Sequence, residues 1–161
     1  VASKKRVKGV GRYIRRLNRE INKIGPRTLK GLIRAGIIVI RGTEKTPPLT
    51  PLDTGNLRAS RFLVTSRGGT SFGGNPQFKG DDSAKMAADH GTVLNSAKAD
   101  AISSGQPMVV LGYTAHYAAE VHENVSATFQ RPGAGAKFLQ ASLRRNEKEM
   151  LRVIAEEAKI K

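Results

Sequence analysis

From residue 10 onward the apolar side chains fall into step. Val10, Ile14, Leu17, Ile21 and Ile24 recur every three or four positions, with arginines between them. An α-helix turns once per 3.6 residues, so this spacing gathers the apolar groups on one stripe and the cations on the other faces. A second run, Leu29, Leu32, Ile33, Gly36, Ile37 and Ile40, keeps the step to about Arg41. The chain is therefore committed to a long amphipathic helix near its start, and that stripe needs something to pack on. Gly25-Pro26 predicts a kink or a restart, because proline lacks the N–H of the helical ladder and crowds the preceding turn. Pro47, Pro48 and Pro51 predict its end.

Beyond the prolines the pattern changes repeatedly. Residues 53–60 predict a short helix with Asp53 accepting from the amides of its first turn. Residues 61–66 predict a strand with Phe62 and Val64 on one face. Residues 67–106 are rich in Gly, Ser, Asn, Asp and Ala, and read as a surface insertion with little to fill a core. Within it Met86, His90, Val93, Leu94, Ala97 and Ala101 have helical spacing, so a mobile arm with a nascent helix is expected. Residues 108–113 form the clearest strand, a continuous apolar run predicted to pair with residues 62–64. Thr114 is expected to cap a helix over residues 115–123, with Tyr117, Ala118 and Val121 facing inward. Residues 125–130 predict another strand. Residues 136–161 predict a closing helix with Leu139, Leu143, Met150, Ile154 and Ala158 on its apolar side.

This order predicts an α+β fold: a small antiparallel sheet covered by long N-terminal and C-terminal helices, with a long surface insertion between the first two strands. The 161 residues suffice for one core. Residues 1–9 read as a flexible basic arm and residues 10–161 as a single domain carrying the extended 67–106 insertion.

The chain has no cysteine, which excludes disulfides, thiolate metal ligands and thiol nucleophiles and points to a reducing compartment. The longest apolar run, Ile37-Ile38-Val39-Ile40, is far short of the roughly 20 residues of a membrane helix. No membrane partner is expected. His90, His116 and His122 are the only side chains that ordinarily titrate near neutrality. No metal-binding or nucleophile spacing joins them, and they read as surface or interfacial groups bonding locally. Gly68 to Gly73 has the glycine spacing of a phosphate loop, but Gly74 and Asn75 stand where Lys and Ser or Thr must follow. Gly133-Ala134-Gly135 opens like a dinucleotide turn, yet Phe138 replaces its third glycine. No catalytic, metal or cofactor residues are assigned, and the chain is read as a binding protein rather than an enzyme.

Charge is the most lopsided property. Residues 1–34 hold twelve Lys and Arg against Glu20 alone, a net +11 of the chain's +15. Lys4, Lys5, Arg6, Lys8, Arg12, Arg15, Arg16 and Arg19 are the candidate contacts to DNA or to an acidic partner. With no Trp, three Tyr and five Phe, base-stacking platforms are scarce, so any nucleic-acid binding is expected to be non-specific.

Three segments carry a resemblance. Thr50-Pro51-Leu52-Asp53-Thr54-Gly55-Asn56-Leu57-Arg58-Ala59-Ser60, then Tyr117-Ala118-Ala119-Glu120-Val121-His122-Glu123, then Gly135-Ala136-Lys137-Phe138-Leu139-Gln140-Ala141-Ser142-Leu143 occur in that order. Together they resemble the neck or tail-completion family of tailed phages, whose members are described as minor capsid or head–tail morphogenesis proteins. The sequence departs from that family at Asn124, where many members have glycine, and in the longer 67–106 insertion. The resemblance implies Asp53, Thr54, Gly55, Leu57, Arg58, Ser60, Tyr117, Val121, His122, Glu123, Lys137, Phe138, Leu139 and Leu143 as family-motif, structural positions. It implies a structural virion protein of the head–tail junction, assembled in the host cytoplasm. That protein would form or join a sixfold or twelvefold homo-oligomeric ring between the portal-side connector or adaptor and the tail terminator or tail-tube proteins, with genomic DNA passing through. The alternative, a free-standing non-specific nucleic-acid-binding protein using its basic first helix, stays open on the sequence.

Overall fold

The computed structural model describes residues 10–159, excepting the side chains of residues 10–14, 16–18 and 20–22. The expected arm over residues 1–9, and the side chains of Val10, Ile14, Leu17 and Ile21, lie outside the described residues. Helix α1 (Val10–Lys45) leads to a four-residue helix α2 (Asn56–Ala59) and strand β1 (Arg61–Thr65). Strand β2 (Thr70–Phe72), helix α3 (Ser83–Ser103), strand β3 (Val109–Tyr113), short helix α4 (Ala118–Glu123) and helix α5 (Phe138–Ala158) complete the order. The α+β class holds: a three-stranded antiparallel sheet, ordered β2-β1-β3, is flanked by the N- and C-terminal helices. The predicted pairing of residues 62–64 with the 108–113 run is also present, with Phe62 opposite Gly112 and Val64 opposite Val110.

Helix α1 runs unbroken across Pro26, so the restart expected there does not occur. One missing N–H is tolerated because the helix is pinned beyond it by α5 and the sheet. α1 and α5 run antiparallel in close contact. Gly31 sits where an added Cβ would lie 2.8 Å from the Ile154 backbone, and Gly42 lies against Ser142 and Asn146. In that seam the Ser142 hydroxyl donates to the Val39 carbonyl at 2.7 Å, with both residues buried. Lys30 and Arg34 close its far end on Glu157, whose carboxyl they hold below the usual carboxylate range. The apolar side of α5 is the expected one except at Leu143: Leu139 packs on the core, Ile154 meets α1 at Gly31, and Met150 and Ala158 are half-buried. The buried residues are Phe138, Ser142 and Val153, whereas Leu143 stays 41% exposed, because a helix approaching this closely admits serine and not leucine.

The sheet is covered on both faces. Side chains alternate along a strand, so Leu63 and Leu111 point one way, meeting α1 at Gly36. Phe62, Val64 and Val110 point the other way, packing on Leu94 and Ala97 of α3. The expected mobile arm over residues 67–106 is thus corrected. It supplies β2 and a 21-residue helix, with Met86, His90, Leu94, Ala97 and Ala101 buried and Val93 exposed. Small and polar side chains do this because α3 lies close to the sheet. His90, expected near the surface, is buried and spans two elements. Its Nε2 donates to the Gly73 carbonyl and its Nδ1 is hydrogen-bonded with the Thr114 hydroxyl, both at 2.7 Å. Gly73 has φ +73°, and a Cβ there would collide with the Arg61 carbonyl.

Two further expectations fail. Thr114 caps nothing: it is buried, its amide donates to the Ser60 carbonyl, and α4 begins three residues later than foreseen. Residues 125–130 have strand alternation but form no strand, because Asn124 turns the chain there. Its side-chain oxygen accepts from the Ser126 amide and hydroxyl, leaving Val125 78% exposed.

Two of the helical glycines, Gly91 and Gly31, should respond in opposite directions. Gly91 in α3 has open space around its Cβ position, so Gly91→Ala should raise stability by about 1 kcal/mol. Gly31→Leu must push α5 off α1, and should lower stability by about 3 kcal/mol. Urea unfolding of both variants against the parent measures the two shifts.

Candidate functional site

The three sequence motifs meet at the end of the sheet where β3 leads into α4. The approach to the first motif is set by the C-terminus of α1, whose last carbonyls lack helical partners. Arg145 of α5 binds at this end, donating to the Gly42 carbonyl in the last turn and to the Thr46 and Pro47 carbonyls just past it, at 3.0 to 3.3 Å. Thr50 is fully buried. Its amide donates to the Thr43 carbonyl, and its hydroxyl bonds the Tyr113 hydroxyl at 3.2 Å, which Thr43 also meets at 3.3 Å. Burial raises the Tyr113 phenol above its ordinary pKa, so it enters this network as a neutral hydroxyl. Leu49, just before the first motif, bridges to Ala134, just before the third.

Gly55 takes φ +90°, a left-handed turn suited to glycine, and heads α2 without any side-chain cap. Asp53 is exposed, so its expected role as a helix cap is corrected. Thr54 is exposed beside it, its hydroxyl oxygen 3.4 Å from the Asn56 amide. Asn56, not singled out by the sequence reading, is buried. Its side-chain amide makes a matched pair of 2.8 Å bonds to the N–H and C=O of Lys79. Ser60 is buried too, its hydroxyl donating to the Leu57 carbonyl.

Leu57 reaches the centre of the assembly. With Met86, Ala115 and Phe138 it forms an apolar cluster against which Tyr113, Tyr117, Val121 and Leu139 pack. Phe138 is fully buried and meets the rings of Tyr113 and His122 edge-on, with centroids 5.4 and 4.9 Å away. The second and third motifs are stitched directly: Lys137, at φ 60°, donates its amide to the His122 carbonyl at 2.7 Å and its ammonium to Glu123. A cleft of about 460 Å³ opens beside the cluster, lined by the 51–57 loop, by Tyr117, Glu120 and Val121 of the α4 region, and by residues 128–130.

One carboxylate organises the neighbouring cations. Glu44 near the end of α1 pairs with Arg58 at 3.1 Å, Arg61 at 3.3 Å and Arg131 at 3.0 Å. Arg131 also donates to the Thr50 carbonyl at 2.8 Å, and Arg61 lies over the Phe72 ring. Three guanidiniums share one acid, and burial lowers the Arg61 pKa despite the nearby Glu44. Neither Glu44 nor Arg131 carries a sequence signal, since an acid on a helix and an arginine in a loop match no spacing rule.

Among the basic candidates, Arg15 and Arg19 are exposed on α1. The side chains of Arg12 and Arg16, and all of Lys4, Lys5, Arg6 and Lys8, lie outside the described residues. The histidines are dispersed over α3, the β3–α4 loop and α4. Among the described residues no group of three or more His, Asp or Glu side chains is placed to hold a metal ion. The arrangement packs, pairs charges and presents a cleft.

Two measurements follow. Glu44→Gln leaves three guanidiniums without a counter-charge, and should cost about 3 kcal/mol in urea unfolding. His122 donates Nδ1 to Glu123, while its buried Nε2 has no partner among the described residues. Burial and the Lys137 charge hold its pKa below the ordinary histidine value. The unfolded chain therefore takes up this proton first, so the stability His122 provides is complete above about pH 6.5 and declines as pH falls below that. His122→Gln should flatten the pH 7-to-5 slope of the urea midpoint.

Set against protein-family models, curated proteins and solved structures, the chain matches none of them.

Proposed function

We propose that the chain is a structural subunit of a tailed-phage head–tail junction. It forms or joins a ring between the portal-side connector and the tail, with DNA passing through. The observation that supports this best is the convergence of the three resembling segments. Leu57 from the first, Tyr117 and Val121 from the second, and Phe138 and Leu139 from the third pack as one unit. Motif residues far apart in sequence serve a common scaffold, and Ser60, Lys137 and Arg58 are spent on its internal bonds. The exposed motif positions Asp53, Thr54 and Leu143 are then available to neighbouring subunits.

The competing reading, a free nucleic-acid binder, draws on the exposed Arg15 and Arg19 of α1. Salt separates the two. Phosphate contacts release counterions, so six or more of them lose roughly a thousandfold in affinity between 50 and 200 mM salt. Packed subunits do not depend on that release. Sedimentation at two salt concentrations, with and without duplex DNA, should show a multi-subunit species that persists at the higher salt. A monomer whose only association is salt-labile DNA binding would overturn the ring.

A further inference from the structure

The sheet ends on an open strand. Ser66 N–H donates to Met108 C=O and Thr114 N–H to Ser60 C=O, which fixes the ladder: residues 108, 110, 112 and 114 bond to β1. The N–H and C=O of Val109, Leu111 and Tyr113 therefore point outward, and among the described residues they have no backbone or side-chain partner. Edge strands are ordinarily protected by charge, proline, a bulge or shortness. The opposite edge, β2, is three residues long and irregular against β1. β3 has none of these protections, being five uncharged and mostly apolar residues.

A second segment has the converse property. Residues 125–130, Val-Ser-Ala-Thr-Phe-Gln, alternate apolar and polar as a strand does, yet join no ladder within their own chain. Thr128, Phe129 and Gln130 make no backbone hydrogen bond among the described residues. The segment is six residues against the five of β3 and, like it, carries no charge. In a chain of net +15 this matters, because two copies repel wherever their basic faces meet. Two neutral edges are where they can touch.

We propose that residues 125–130 of one copy add as a strand to the outer edge of β3 in a second copy. The contact joins two different surfaces, so it is head-to-tail and closes into a ring when the rotation per subunit closes. It rests on the ring reading and names the bond that would build the ring.

Residue-resolved amide hydrogen exchange on the full chain, at low and high concentration, tests it. Association should slow exchange at Val109, Leu111 and Tyr113 by at least about tenfold, and should slow alternate amides within residues 125–130. Thr128→Pro removes a donor and fixes φ in a segment that forms no ladder of its own, so its fold, checked by circular dichroism, should be kept while both protections are lost. A peptide of residues 124–130, added to dilute monomer, should protect the same three β3 amides. Rings that persist in Thr128→Pro with those amides unprotected overturn the strand pairing and leave the ring reading standing. Protection at β3 without protection at 125–130 means that β3 pairs with itself, which overturns the head-to-tail contact. A chain that stays monomeric and ignores the peptide sinks this proposal, and the absence of self-association at any salt counts separately against the ring.

Discussion

Leu63 and Val64 are neighbours in β1, point to opposite faces of the sheet, and are both wholly buried. Each gains about 1.5–3 kcal/mol from leaving water, and a three-stranded sheet keeps that gain only if both faces are covered. α1 covers one face at Gly36 and α3 the other at Leu94 and Ala97. Much follows from this double cover. α3 becomes part of the core, His90 is carried inward to tie Gly73 to Thr114, and α5 is left to pack on α1. The end of β3 then delivers Tyr113 and Thr114 to the place where the three motifs meet.

What the sequence made legible was whatever rests on a period. The three- and four-residue step of α1 from Leu29 onward and the apolar runs of β1 and β3 survive folding because burial of those stripes is what folds the chain. What escaped depended on distance between elements. α3 buries Ala97, Ala101 and a histidine, side chains that look like poor core material until a sheet lies close enough to touch them. On α5 the expected stripe fails only at Leu143, where the seam with α1 takes Ser142 instead. Of the site, Leu57, Phe138 and Tyr117 just before α4 were readable as apolar residues that must pack together. Glu44, Asn56 and Arg131 were not, because their roles exist only once α1, α2 and the 131 loop adjoin.

The charge of the chain divides along the same line. Within the domain, arginines are drawn into shared acids, with Arg58, Arg61 and Arg131 on Glu44, and Lys30 and Arg34 on Glu157. Arg27 donates to the Lys159 carbonyl just past the last residue of α5, so the part of α1 before it runs beyond that helix. Gly25 still meets Pro107, so the projecting part runs from Val10 to Lys23, roughly 20 Å of helix, with Arg15 and Arg19 exposed on it. One helix is thus core at its C-terminal end and a basic projection at the other.

That division sets how copies of the chain can approach one another. At low ionic strength the repulsion between basic projections reaches about 30 Å, further than any hydrogen bond, so like copies are held apart before their edges can pair. At physiological salt the reach falls to about 8 Å, and a neutral strand edge comes within range. Added salt therefore favours contact between copies while it weakens contact with phosphates. An anionic partner laid along the projecting helices would act as concentrated counter-charge, neutralising the repulsion locally. In the ring proposed above, DNA in the channel and strand pairing at β3 would be cooperating influences: the first would lower the electrostatic cost of bringing copies together, and the second would supply the directional bonds that fix how they sit.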